Sequence, residues 1–212
     1  MKEINIKPRA ETIIFLGPPG SGKDTQAEFL VEKLGFQLIS SGKLIRLRAE
    51  HDDELHDILK KGDLVPNNII DDEIISIFAL LPDEQPVILD GYPRTLEQAK
   101  KLDLILSENN RKLDKVIYIN VPDKDLINRI KKRRVCSSCQ KFTMDKFEAC
   151  PYCGGKLTQR NDDTPETLKN RLKVFHQNTK PVIEYFKERR VLLEVDGSPS
   201  IDRVKESIRR LF

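Results

Sequence analysis

Short apolar runs alternate along the chain with longer stretches in which apolar residues recur every three or four positions, and that alternation predicts strands and helices taking turns. Thr12–Leu16 is a β-branched run ended by Gly17-Pro18-Pro19-Gly20, the pattern of a buried strand entering a loop. Lys23–Leu34 carries Ala27, Leu30, Val31 and Leu34 at helical spacing, and Phe36–Ile39 reads as a second strand. Ser40–Lys61 is one charged helical stretch stopped by Gly62, Ile69–Leu80 is a helix closed by Pro82, and Val87–Leu89 is a strand ending at Asp90-Gly91. Thr95–Ser107 is helical, Val116–Val121 a strand and Asp123–Arg134 a helix. Pro165–Arg190 is a long helical stretch with a bend or break at Pro181, followed by a last strand, Val191–Val195, and a last helix, Ser200–Leu211. Five apolar strands separated by helices predict an α/β fold with a parallel sheet covered on both faces. Residues 135–163 lack this rhythm and are polar, which marks an insertion with its own means of stabilisation.

A chain of 212 residues supports one core with a small excursion. The 37 basic residues barely exceed the 34 acidic ones, too even a balance to point to nucleic acid as a partner. No apolar run is long enough to cross a bilayer, and Met1–Arg9 has no apolar stretch of the secretory kind. A cytoplasmic protein without a membrane partner is expected.

Gly17-Pro18-Pro19-Gly20-Ser21-Gly22-Lys23 matches G-x-x-x-x-G-K and falls between a strand and a helix. Glycines let successive backbone N–H groups turn into one cavity, the helix N-terminus adds positive potential, and the lysine reaches the outer phosphates of a bound nucleotide. Asp24 occupies the place where Ser or Thr usually meets magnesium, with Thr25 one position later.

All four cysteines lie within 18 positions, as Cys136-x2-Cys139 and Cys150-x2-Cys153, with Gly154-Gly155 supplying a turn. Paired spacing in a reducing compartment points to a metal rather than to disulfides. Four thiolates make a closed structural zinc site, although iron uses the same ligands. In a short polar segment such a metal takes the place of a core. Knuckles of this kind also occur in nucleic-acid binders, and Lys131-Lys132-Arg133-Arg134 precedes them.

The run Gly17–Gln26 resembles the phosphate loop of adenylate kinases, and further segments follow in family order. These are Ser40-Ser41-Gly42-Lys43-Leu44-Ile45-Arg46, Asp90-Gly91-Tyr92-Pro93-Arg94-Thr95 with Gln98, Arg129 and Arg133, Arg160-Asn161-Asp162-Asp163, Arg171, and Val195-Asp196-Gly197-Ser198. The resemblance implies a P-loop three-layer fold with a five-stranded parallel sheet, and residues 135–163 are similar to a zinc-ribbon-like LID. It divides the chain into a core (1–39, 70–131 and 164–212), a part over the acceptor (40–69) and the LID (132–163). The implied reaction is MgATP + AMP ⇌ 2 ADP by direct in-line transfer in a monomer.

Such a transfer gathers roughly six negative charges in one cleft and asks the protein mainly for cationic clamps and exclusion of water. Lys23, Arg46, Arg94, Arg129, Arg133, Arg160 and Arg171 would supply them. By the resemblance, Lys23 and the amides of Gly20, Ser21, Gly22, Asp24 and Thr25 hold the donor phosphates, Arg129 stacks on the donor base, and Pro199 lies beside it. Arg46 and Arg94 grip the acceptor's α-phosphate. Gln98 reads its base, with an amide that can flip to suit another base, and Ser41, Asp63, Leu64, Val65, Gly91, Tyr92 and Pro93 line its pocket. Arg133, Arg160 and Arg171 neutralise the migrating group, Asp162 and Asp163 orient those arginines, and Asp90 positions waters on magnesium. Two residues depart from the family pattern, Asp24 for a glycine and Lys43 for an acid, and a compensating Asp24–Lys43 pair across the cleft floor is expected. Kinases for UMP, CMP or GMP, and a nucleotide-dependent RNA-binding or sensor protein, are the competing readings.

Overall fold

The computed structural model describes residues 11–143, 147–160 and 162–212; the readings of Met1–Arg9 and Asn161 lie outside them. Five parallel strands form the central sheet: β1 (Glu11–Leu16), β2 (Gln37–Ser40), β3 (Val87–Asp90), β4 (Lys112–Asn120) and, last in the chain, β8 (Leu192–Asp196). Their order is β2-β3-β1-β4-β8. Successive residues of β1 feed opposite faces. Ile14 and Leu16 pack with α4 (Asn67–Leu80), α5 (Leu96–Glu108) and α8 (Lys180–Glu188). Ile13 and Phe15 pack with α1 (Lys23–Leu34), α6 (Asp123–Lys132), α7 (Pro165–Val174) and α9 (Ile201–Arg209). With both faces covered, the strand has no polar face to show, which is why it reads as a continuous apolar run.

Two helical expectations change. Ser40–Lys61 is two helices, α2 (Ser41–Ala49) and α3 (Asp53–Lys61), because the Asp52 side chain accepts from Leu55 N–H at 3.0 Å and starts a new helix. The Pro165–Arg190 stretch runs as α7, a π-turn at Phe175–Thr179, and α8, so the irregularity precedes Pro181.

The insertion forms its own three-stranded antiparallel sheet, β5 (Arg134–Cys136), β6 (Phe142–Thr143) and β7 (Leu157–Thr158), in the order β6-β5-β7. No helix among the described residues is long and apolar enough to cross a membrane.

Candidate active site

The loop between β1 and α1 is shaped by its glycines. Gly20 and Gly22 have φ of 85° and 91°, in the left-handed region open to glycine, and a Cβ on Gly20 would meet Ile130 at 3.0 Å. Gly22 is the N-cap of α1 and supplies no side-chain cap, so the first amides of the helix face the cavity above them with their positive potential.

Two cavities meet on this loop. The larger, of about 370 Å³, is lined by Gly20, Gly22, Lys23, Asp24 and Thr25 and roofed by Arg129, Arg133, Arg160 and the insertion. The smaller, of about 120 Å³, is lined by Ser41, Arg46, Asp63, Leu64, Val65, Tyr92, Pro93 and Gln98. Lys23, Arg46, Gly91, Arg94 and Arg171 line both, so four cations stand where the two spaces join. Burial lowers the pKa of each of the four; Arg46 falls to about 10, by burial first and then by the charge of Arg160, and Arg171 also to about 10. An array of desolvated, mutually repelling cations is built to receive anions.

Carboxylates hold this array in place. Asp163, 1% exposed, takes Arg133 in a two-bond fork, one bond being Nε at 2.9 Å, and Arg171 stands 3.9 Å away. Asp162 pairs with Arg160 and, at 3.2 Å, with Arg171. Burial would raise the Asp162 pKa, but the charges of Arg160 and Arg171 outweigh it and the pKa falls.

The sides of the smaller cavity are pinned by backbone contacts. Ser41 Oγ and Arg94 Nε both donate to the Gly91 carbonyl at 2.7 Å. Gly91 has φ of 74°, and a Cβ there would sit 2.9 Å from Ser41 Oγ. Gln98 Oε1 accepts from Arg94 N–H at 2.7 Å, which fixes the amide with Nε2 as the free end; a flip would set donor against donor.

Asp90 ends β3, is 3% exposed, and accepts from Ser40 Oγ at 3.0 Å on Oδ2, while its buried Oδ1 has no donor. Asp24 lies within hydrogen-bonding reach of Asp90, and burial together with that negative neighbour pushes the Asp90 pKa up to about 8. Burial also acts to raise Asp24, but Lys23, a hydrogen bond from Asp90 and the charges of Arg133 and Arg46 hold it below the usual carboxylate range. A carboxylate pair that shares one proton beside a phosphate cradle is a position that a hydrated divalent cation fits, the cation replacing the proton.

Some expected contacts differ. Lys43 does not reach Asp24; its Nζ pairs with Glu28, one turn further along α1, at 3.1 Å. Arg129 lines the larger cavity but is held by carbonyls, donating to Gly197 at 2.6 Å, Ser198 at 3.1 Å and Ser21 at 3.5 Å. Ser21 is buried, and neither it nor Pro199 lines either of these two cavities. The larger cavity also takes Phe142, Phe147, Tyr152, Ile201 and Lys205. They carry no motif, because folding of the insertion and of α9 brings them there.

The four cysteine sulfurs lie within 4.8 Å of one another, with Cys136–Cys153 at 3.5 Å and Cys139–Cys150 at 3.6 Å. A Zn–S bond of about 2.3 Å separates the sulfurs of a tetrahedron by about 3.8 Å, so the set fits a four-coordinate metal. Backbone N–H groups of Cys139 and Ser138 donate to Cys136 Sγ and hold its pKa down, at about 6. Gly154 takes φ of 73°, and a Cβ on Gly155 would fall 2.8 Å from Cys136 Sγ.

Residues 15–191 match the family model described as adenylate kinase. Curated relatives named adenylate kinase include a protein of Dehalococcoides mccartyi, 42% identical over 92% of this chain and 95% of its own length. Another, from Archaeoglobus fulgidus, is 40% identical over 94% of this chain and 97% of its own length. A third, from Thermosipho melanesiensis, is 42% identical over 92% and 96%.

Proposed function

The chain belongs to the adenylate kinase family, and from that premise we propose how its two joined cavities divide the work. The protein is a phosphotransferase that moves a phosphoryl group reversibly between ATP and AMP, giving two ADP. ATP takes the larger cavity, with its phosphates on Lys23 and the first amides of α1. AMP takes the smaller one, its phosphate on Arg46 and Arg94 and its base against Gln98 Nε2. The observation that carries this reading is the shared lining: Lys23, Arg46, Arg94 and Arg171 stand where the end of one nucleotide would meet the other.

The protein's contribution is positioning and charge. Arg133, Arg160 and Arg171, aligned by Asp162 and Asp163, neutralise the equatorial oxygens of the migrating group. Asp90 would orient the water shell of magnesium, which when bound would offset the charge of the donor phosphates. The four cysteines hold a structural zinc that keeps the insertion folded. Residues 40–69 and 132–163 act as two covers that close over acceptor and donor. Contacts of Lys60 and Lys61 carbonyls with Thr167 Oγ1 and Asn170 Nδ2, each 2.9 Å, and of Lys141 with Glu32 at 3.4 Å, support that division. Closure excludes water and suppresses hydrolysis of ATP. The same proposal makes the protein a cytoplasmic monomer, in a compartment that keeps the thiols reduced.

An ADP-release assay across AMP, UMP, CMP and GMP tests the reading. AMP is expected to stimulate turnover far above the others. A pyrimidine or guanine acceptor preferred over AMP would overturn the assignment of Gln98 and the smaller cavity.

A further inference from the structure

Asp24 is a carboxylate on the phosphate loop itself, in a place where it faces the anions the loop receives. It lines the larger cavity with Asp90 and Ser40, one residue after Lys23. Lys43, the partner expected of it, is turned away to Glu28 and lines neither cavity, so the cations whose charge reaches Asp24 are Lys23, Arg46 and Arg133, which line the same cavity. Asp90 Oδ1, buried and without a donor, completes the pair. The ionised Asp24 repels bare polyphosphate at the cradle, and it and Asp90, which would yield its proton to a bound cation, attract the same polyphosphate once a divalent cation lies between.

We propose that Asp24 is a second cation-facing carboxylate of the donor seat, and that it makes ATP binding depend on magnesium. The proposal rests on placing the donor nucleotide in the larger cavity. Its consequence is a selectivity: the loop discriminates against metal-free ATP through repulsion from Asp24 and accepts MgATP through attraction of the cation to Asp24 and Asp90. Two other roles make different predictions. As a purely structural partner of Lys23, Asp24 affects both ligand forms alike. As a stand-in for phosphate in the empty cleft, paired with Lys23 and Arg46, it competes with both forms alike.

Calorimetric titration with ATP in the presence of a chelator, and again with saturating magnesium, gives two dissociation constants and their ratio. In Asp24→Asn, which keeps the shape and removes the charge, metal-free ATP should bind more tightly and MgATP less tightly. The ratio should fall about tenfold, equivalent to about 1.4 kcal/mol of coupling. Asp24→Gly should lower it equally, and Lys43→Ala should leave it unchanged; thermal melts establish that each variant is folded. A ratio within twofold of wild type in both Asp24 variants overturns the proposal, as does tightening of both constants in parallel. The readout needs no acceptor, so a fall in the ratio together with no AMP-stimulated turnover would refute the proposed reaction and leave the role of Asp24 standing.

Discussion

Replacing Asp163 by Asn tests whether the cleft is held together by carboxylates that occupy the place of phosphates. Asp163 is 1% exposed and its partner Arg133 11%, joined by the two-bond fork, with Arg171 at 3.9 Å and Arg160 nearby on Asp162. The amide keeps the volume and one acceptor but leaves Arg133 without its counter-charge beside Arg171, which keeps only Asp162 at 3.2 Å. Breaking a buried pair from one side costs about 3–5 kcal/mol. Since Arg133 borders an open cavity, the low end applies, about 3 kcal/mol. In a chain of this length that lowers Tm by about 6–12 °C. Thermal denaturation of Asp163→Asn and wild type, each with and without saturating magnesium and ADP, reads the effect. Nucleotide phosphates restore the missing negative charge, so the gap should shrink by at least half in the liganded pair. A gap below about 0.5 kcal/mol without ligand, or one that ligand leaves intact, would refute the reasoning.

Other consequences follow from single contacts. Asp90 has its pKa raised by burial from 3.8 to about 8, so the folded state binds a proton that the unfolded state has released. Its contribution to stability therefore falls as pH rises from about 4 to about 8 and is level above that. Without nucleotide or metal, Asp90→Asn should gain on wild type across that window in urea titrations; a constant difference would show that Asp90 does not hold the proton. Gly155→Ala puts a methyl 2.8 Å from Cys136 Sγ and 2.6 Å from Ser138 Oγ, so purified protein should carry well under one equivalent of metal, measured by elemental analysis. Removing the metal with a strong chelator should lower Tm and expose the insertion to protease, while leaving the sheet's far-ultraviolet signal largely intact. Lys43→Ala should change stability by less than about 0.5 kcal/mol, because the Glu28 pair is partly exposed.

The core was legible because it repeats one physical pattern. The inner strands β1 and β3 are buried on both faces and end at glycine turns, so Lys23–Leu34 and the strand at Val87 could be bounded from spacing alone. The break at Asp52 was hidden, since an aspartate in a charged helical run looks like surface until its side chain caps Leu55. The π-turn before Pro181 left no local mark either. Within the site, the cations stand beside glycine turns and strand ends, which local sequence records. Partner choice does not. Asp24 and Glu28 both lie on α1 as candidate partners of Lys43, and only their position one turn apart along the helix decides for Glu28. Tyr152 and Lys205, 53 positions apart in the chain, share a cavity only through the path of the insertion.

Titration with a single compound carrying two adenosines bridged by five phosphates tests most directly whether two nucleotides meet end to end in one cleft. Joined cavities sharing Lys23, Arg46, Arg94 and Arg171 predict one molecule bound per chain and competition against both ATP and AMP. Two molecules bound per chain, or competition against only one of the two nucleotides, would contradict it.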